Sequence, residues 1–165
     1  MKHFEGTQSK AQILVDRLQA RAWHITFAES CTGGMAAAGI VDIPSASTVF
    51  DVSFVTYANE AKMKYLNVAA DTIRQYGVVS EQVAGEMALG AAQNARAQVG
   101  VGISGIAGPG GGTDTKPVGM VCFGFYIDGT IHTKTMYFGS IGRNAVREAS
   151  VAFVYDTLLD LLPSE

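Results

Sequence analysis

The chain has 165 residues, a formal net charge of −3 and 48% hydrophobic against 16% charged residues, which excludes a disordered chain. The acidic balance speaks against a non-specific nucleic-acid binder. No apolar run reaches the ~18 residues of a membrane span, because Asp42, Asp51 and Asp71 interrupt the candidates.

Residues 1–7 carry no apolar stretch of the kind a signal peptide needs, so a cytoplasmic protein is expected. Cys31 and Cys122 make no disulfide framework. His3, His24 and His132 are scattered, so no metal site is expected. The length suits a single domain spanning residues 1–165.

In chain order, Ile13, Leu14, Val15 and Leu18 fall on one side of an amphipathic helix over residues 9–22. Residues 24–28 form a strand, and an alanine- and glycine-rich helix over 32–41 follows. Residues 49–57 read as another strand. A short helix over 59–66 is capped by Asn59, and a second over 71–76 stops at Gly77. Ser80 opens a long helix to about residue 97.

Residues 99–104 form a strand, and 105–117 a glycine-rich loop. Asp128-Gly129 turns a hairpin between strands 118–127 and 130–138. The last helix covers 144–162, before Pro163. Early alternation of helix and strand with a late hairpin predicts a three-layer α/β/α domain on a mixed β-sheet.

The run from Ile25 to Gly34 reads as strand, tight turn, helix, with Ser30, Cys31 and Thr32 at the turn. Unpaired N–H groups at a helix start suit a nucleophile with its oxyanion hole, or a phosphate cradle. An ordinary helix start is the plainer alternative. Cys31 is the rival nucleophile, since such a position lowers a thiol's pKa.

Gly100-Val101-Gly102-Ile103-Ser104-Gly105 has the spacing of a dinucleotide fingerprint, but its glycines lie inside a predicted strand with no helix after it. Close packing explains them better. The loop from Gly105 to Gly112 can bring backbone near a ligand, or be a flexible surface loop. Lys62 falls near the positive end of its helix, where a cation is disfavoured. If partly buried, its amine becomes a candidate general base. Arg143 and Arg147, four apart, share one helix face, either as an anion site or as a solvated one. His24, beside Trp23, reads as packing.

Three motifs carry a resemblance. Ala28-Glu29-Ser30-Cys31-Thr32-Gly33-Gly34, Val55-Thr56-Tyr57-Ala58-Asn59-Glu60-Ala61-Lys62, and Ser104-Gly105-Ile106-Ala107-Gly108-Pro109 with Lys116-Pro117-Val118-Gly119 resemble the CinA C-terminal domain, the nicotinamide-nucleotide amidase family. The similarity covers residues 9–162.

The resemblance implies hydrolysis of the carboxamide of nicotinamide mononucleotide to nicotinate mononucleotide and ammonia, by a serine–lysine mechanism without metal or cofactor. It makes Ser30 the nucleophile and Lys62 its base, with Tyr57 assisting. Thr32, Gly33 and Gly34 would offer N–H groups to the oxyanion or substrate. Asn59, Ser104, Gly105, Ala107 and Gly108 would border the nucleotide, and Arg143 would meet its phosphate.

The chain reads Ser140-Ile141-Gly142-Arg143 where family members commonly have Gly-Asp before the arginine. That departure bears on phosphate affinity, and a nucleotide-binding module with little turnover is the alternative. Many members carry an additional nucleotide-pyrophosphatase domain, for which 165 residues leave no room. The expected partner is the small nucleotide, with neither nucleic acid nor membrane. The apolar helices suggest a homo-oligomer.

Overall fold

The computed structural model describes residues 2–164, with side chains from Ser9 to Ser164. Of residues 1–7, Met1 lies outside the described residues and the others are described in backbone alone. The chain runs α1 (Lys2–Arg21), β1 (Ile25–Glu29), α2 (Met35–Val41), β2 (Phe54–Val55), α3 (Asn59–Leu66) and α4 (Ala70–Tyr76). It continues through α5 (Glu81–Ala95), β3 (Val99–Gly105), β4 (Met120–Ile127), β5 (Thr130–Tyr137) and α6 (Arg143–Leu161).

The five strands form one mixed sheet in the order β2-β1-β3-β4-β5. β1 is central to its parallel part, with Ile25 opposite Val99 and Glu29 opposite Ile103. β4 and β5 close the sheet as an antiparallel hairpin. Asp128 and Gly129 turn it with φ of 41° and 99°, the positive values a two-residue hairpin turn requires.

Helices cover both faces. Ile25 and Phe27 of β1, Val99, Val101 and Ile103 of β3, and Phe123 and Phe125 of β4 point into a core shared with Leu14, Leu18, Ile40, Val154 and Leu158 of α1, α2 and α6. On the other face α5 lies against β3 and β4, with α3 and α4 outside it. That approach depends on glycine. A Cβ at Gly100 would run into the carbonyl oxygen of Ala88, and one at Gly102 or Gly124 into that of Ala84. The Gly-x-Gly pattern at 100–102 therefore seats a helix.

Three expectations change. The strand over 49–57 shrinks to two residues plus a bridge between Phe50 and Ile25. Side chains replace its ladder: Thr26 Oγ1 donates to Val52 O at 2.7 Å, and Ser53 Oγ to Phe27 O at 2.9 Å. The helix expected from 32 begins at Met35, because Gly33 and Gly34 have φ of 58° and 99°. Ala58, extended at φ −83° and ψ 153°, holds the N-cap position of α3 in place of Asn59, which is already helical. Among the described residues no helix is long and apolar enough to cross a membrane.

Gly102→Ala is expected to cost about 1–3 kcal/mol of unfolding free energy through overpacking. Gly110→Ala, where nothing lies within 4 Å, is expected to be near neutral. Urea denaturation of both variants checks the pair.

Candidate active site

The turn at residues 30–34 leaves the carboxyl end of β1, where Glu29 is fully buried. A buried carboxylate is costly unless its oxygens accept hydrogen bonds. Glu29 accepts three: from Gly34 N at 3.0 Å, Ala36 N at 3.2 Å and Ala37 N at 2.9 Å. These are donors that a helix start leaves unpaired. Gly33 N donates back to Ser30 O at 3.1 Å.

The amides of Gly33 and Gly34 are thus spent within the turn, and neither residue lines the cleft described below. To serve an oxyanion, as the resemblance implies, these two amides would have to leave those acceptors. The amides of Cys31 and Thr32 have no backbone or side-chain oxygen acceptor among the described residues.

Lys62, on the second turn of α3, reaches the same place. It is 1% exposed, and its Nζ lies 3.3 Å from Ser30 Oγ, 2.6 Å from Thr56 O and 3.3 Å from Tyr57 O. No carboxylate pairs with it among the described residues. Removal from water lowers its pKa from the usual 10.5, since burial penalises the charged form. An uncharged amine has two protons and one lone pair. The two carbonyls can take the protons, leaving the lone pair for the Ser30 hydroxyl.

The same burial acts oppositely on Cys31. It pushes the thiol up to about 11, so the sulfur stays protonated and weakly nucleophilic at neutral pH.

A cleft of about 240 Å³ opens over Ser30, walled by Cys31, Tyr57, the loop residues Gly105, Ala107 and Gly108, and Arg143. Arg143, the first residue of α6, donates to Gly108 O at 2.8 Å and to the Tyr57 hydroxyl at 3.0 Å. Tyr57 is 64% exposed. Its hydroxyl is bonded to Arg143, and its backbone carbonyl is what meets Lys62. Gly142 has φ 103° and ψ 145°, a glycine conformation. Where the family commonly has an acid there, this chain holds Arg143 by a carbonyl and a phenol.

The remaining expected residues stand apart. Asn59 is exposed at the start of α3 and does not line the cleft. Ser104 is buried, with Oγ donating to Val78 O at 2.7 Å. Thr32 is fully buried and its hydroxyl has no partner. His24 pairs with Asp51 at 2.6 Å, away from the cleft residues.

Sequence reasoning did not find the supporting contacts of three residues. Glu29 carried a signal, an acid just before a helix start. Arg147 binds the turn's carbonyls, Cys31 O at 2.9 Å and Thr32 O at 3.2 Å. Lys116 pins the glycine-rich loop by donating to Tyr76 O at 2.5 Å and Val79 O at 2.6 Å. The last two bonds span long stretches of sequence that no local pattern connects.

The fold is that of an α/β domain on a mixed sheet, with Ser30 and Lys62 brought together at the turn after β1. The chain belongs to the CinA C-terminal domain family, which it matches over residues 7–162. It is 50% identical over 143 residues to a protein of Enterobacter agglomerans named nicotinamide-nucleotide amidohydrolase PncC, covering 86% of this chain and 87% of that one. It is 42% identical over 151 residues, 92% of its length, to a CinA-like protein of Kosmotoga olearia, of which it spans 36%. The chain spans less than half the length of several such relatives. A solved structure of the competence/damage inducible protein CihA from Agrobacterium tumefaciens superposes with a TM-score of 0.91 at 38% identity, over 94% of each chain. A CinA superfamily protein from Escherichia coli gives 0.91 at 38% identity, over 94% of this chain and 90% of that one.

Glu29→Gln replaces one acceptor by a donor facing backbone N–H groups. It is expected to lose about 1.5–3 kcal/mol of stability, the worth of hydrogen bonds to a charged group, in urea denaturation. Iodoacetamide at pH 8 is expected to leave Cys31 largely unmodified in the folded protein and to label both cysteines in urea, read by mass spectrometry.

Proposed function

We propose that the chain is an amidase that hydrolyses the carboxamide of nicotinamide mononucleotide to nicotinate mononucleotide and ammonia. The observation that carries this reading is the buried amine of Lys62, whose Nζ stands 3.3 Å from Ser30 Oγ and within hydrogen-bond reach of two carbonyl oxygens. The name of the Enterobacter relative supports the substrate.

In this reading Ser30 Oγ bonds to the carboxamide carbon while Lys62 Nζ takes its proton. The charge that develops on the carbonyl oxygen meets the amide of Cys31, the residue of the turn that lines the cleft beside Ser30. Collapse breaks the C–N bond, and the proton on Lys62 leaves with the nitrogen as ammonia. Water then adds to the acyl-enzyme, gives its proton to Lys62, and releases the acid as Ser30 is reprotonated. Arg143 and the glycine-rich loop hold the phosphate end. A cytoplasmic location and self-association belong to the same proposal. Light scattering that returns a 17.4 kDa particle at micromolar concentration removes self-association from it.

A second reading, a binding module with little turnover, draws on Gly142, which leaves Arg143 without the usual neighbouring acid. Nucleotide binding by calorimetry with no ammonia released would favour it.

Ser30→Ala and Lys62→Ala are each expected to abolish ammonia release, while Cys31→Ala keeps most of it. Full activity in Ser30→Ala would overturn the assignment. Because burial lowers the pKa of Lys62, the uncharged base is present at lower pH than for a free lysine. kcat/KM should therefore rise with pH through one acid limb whose midpoint lies below 10.5. A rate that does not change with pH from 5 to 9, within about twofold, would remove Lys62 as the base.

A further inference from the structure

We propose that Arg147 is a positioning residue for the turn that carries Ser30, an inference that rests on the amidase reading above. Arg147 lies one turn into α6 and reaches back to the turn at 30–34. Its Nε donates to Cys31 O at 2.9 Å and its Nη2 to Thr32 O at 3.2 Å. Nη1 donates to Asn144 Oδ1 at 3.0 Å. The guanidinium passes over Gly33, where an added Cβ would sit 3.5 Å from Nη2.

Two side chains thus grip the turn from opposite flanks. Glu29 takes N–H groups on the helix side, and Arg147 takes carbonyls on the strand side. In a planar trans peptide unit the C=O and N–H point in opposite directions. The hold of Arg147 on Cys31 O therefore aims the Thr32 N–H away from Arg147. The bond from Gly33 N to Ser30 O fixes the Cys31 N–H in the same manner.

Of the two amides without an oxygen acceptor, that of Cys31 belongs to the cleft wall and that of Thr32 to a fully buried residue, so Arg147 acts by holding the backbone of Cys31 and Thr32 in place beside Ser30. Donors help an oxyanion most when they are aimed before the charge appears. An arginine suits this task because its planar fork spans two successive carbonyls, where an ammonium is a point charge. Arg147 is not placed as a phosphate ligand: each of its nitrogens already donates within the protein, and Arg143 lines the cleft.

The test uses Arg147→Lys and Arg147→Met in the full chain. kcat and KM are measured for ammonia release from nicotinamide mononucleotide, and Kd for the nucleotide in the Ser30→Ala background. A second readout needs no substrate: the rate at which a fluorophosphonate modifies Ser30. There Oγ bonds to phosphorus, fluoride leaves and Lys62 takes the proton. All rates are normalised to folded protein by circular dichroism.

The expected result is a kcat lower by about 10-fold in Arg147→Lys and about 100-fold in Arg147→Met, the scale of a lost oxyanion donor. KM and Kd should stay within about twofold, and labelling should slow in step with kcat. A kcat per folded molecule within about twofold of wild type in Arg147→Met would overturn the proposal. So would a raised KM and Kd at unchanged kcat, which would make Arg147 a ligand contact. If wild type releases no ammonia while Ser30 is still labelled, the substrate reading fails, and the labelling rates alone decide the role of Arg147.

Discussion

The candidate site hangs on a carboxylate that takes no part in the proposed chemistry. Glu29 ends β1, the middle strand of the sheet's parallel part, fully buried, and three amides at the start of α2 satisfy it. That one arrangement delays the helix to Met35 and makes residues 30–34 a turn with two glycines at positive φ. It also fills the helix N-terminus with the protein's own negative charge. A phosphate cradle at this turn, one of the alternatives open in the sequence, finds its place already taken. What the turn still offers to the cleft is a hydroxyl, Ser30, and the amide of Cys31 beside it, which has no oxygen acceptor among the described residues.

Around that turn a single physical effect separates two rival groups. Loss of water raises the pKa of an acid that ionises to an anion and lowers that of a base that ionises to a cation. Cys31 and Lys62 share the same dry surroundings, so the thiol is held neutral while the amine is driven toward its uncharged form. The partners of Lys62 reinforce this, since carbonyl and hydroxyl oxygens hold an amine without the charge–charge attraction a carboxylate would supply. Neighbouring titratable groups pushed toward opposite roles by one environment are a recurring feature of acid–base sites.

Much of this was legible in the sequence because it is local. The hairpin follows from Asp128-Gly129, the α5 cap from Ser80, whose hydroxyl accepts from Val83 N, and the small-residue strand from Gly100 and Gly102. Lys62 stood out because its place near a helix start opposes the dipole. What the sequence hid is non-local or compensatory. β2 is short because Thr26 and Ser53 side chains take over its bonding, which no alternation pattern displays. Ala58 caps α3 through backbone shape alone, so the polar residue beside it drew the assignment. Arg147 meets carbonyls more than a hundred residues earlier in the chain, and helical spacing showed only that it shares a face with Arg143.

The solitary amine of Lys62 has a further consequence for the chain's history. A depressed lysine pKa means the unfolded chain binds the proton more readily, so below the native pKa the residue weakens the fold in full, and the penalty fades as pH rises from the native to the unfolded value. The site therefore carries a standing burden that an apolar side chain of similar length would lift. In the proposed amidase reading, a lysine there is chemistry kept against the pull of stability.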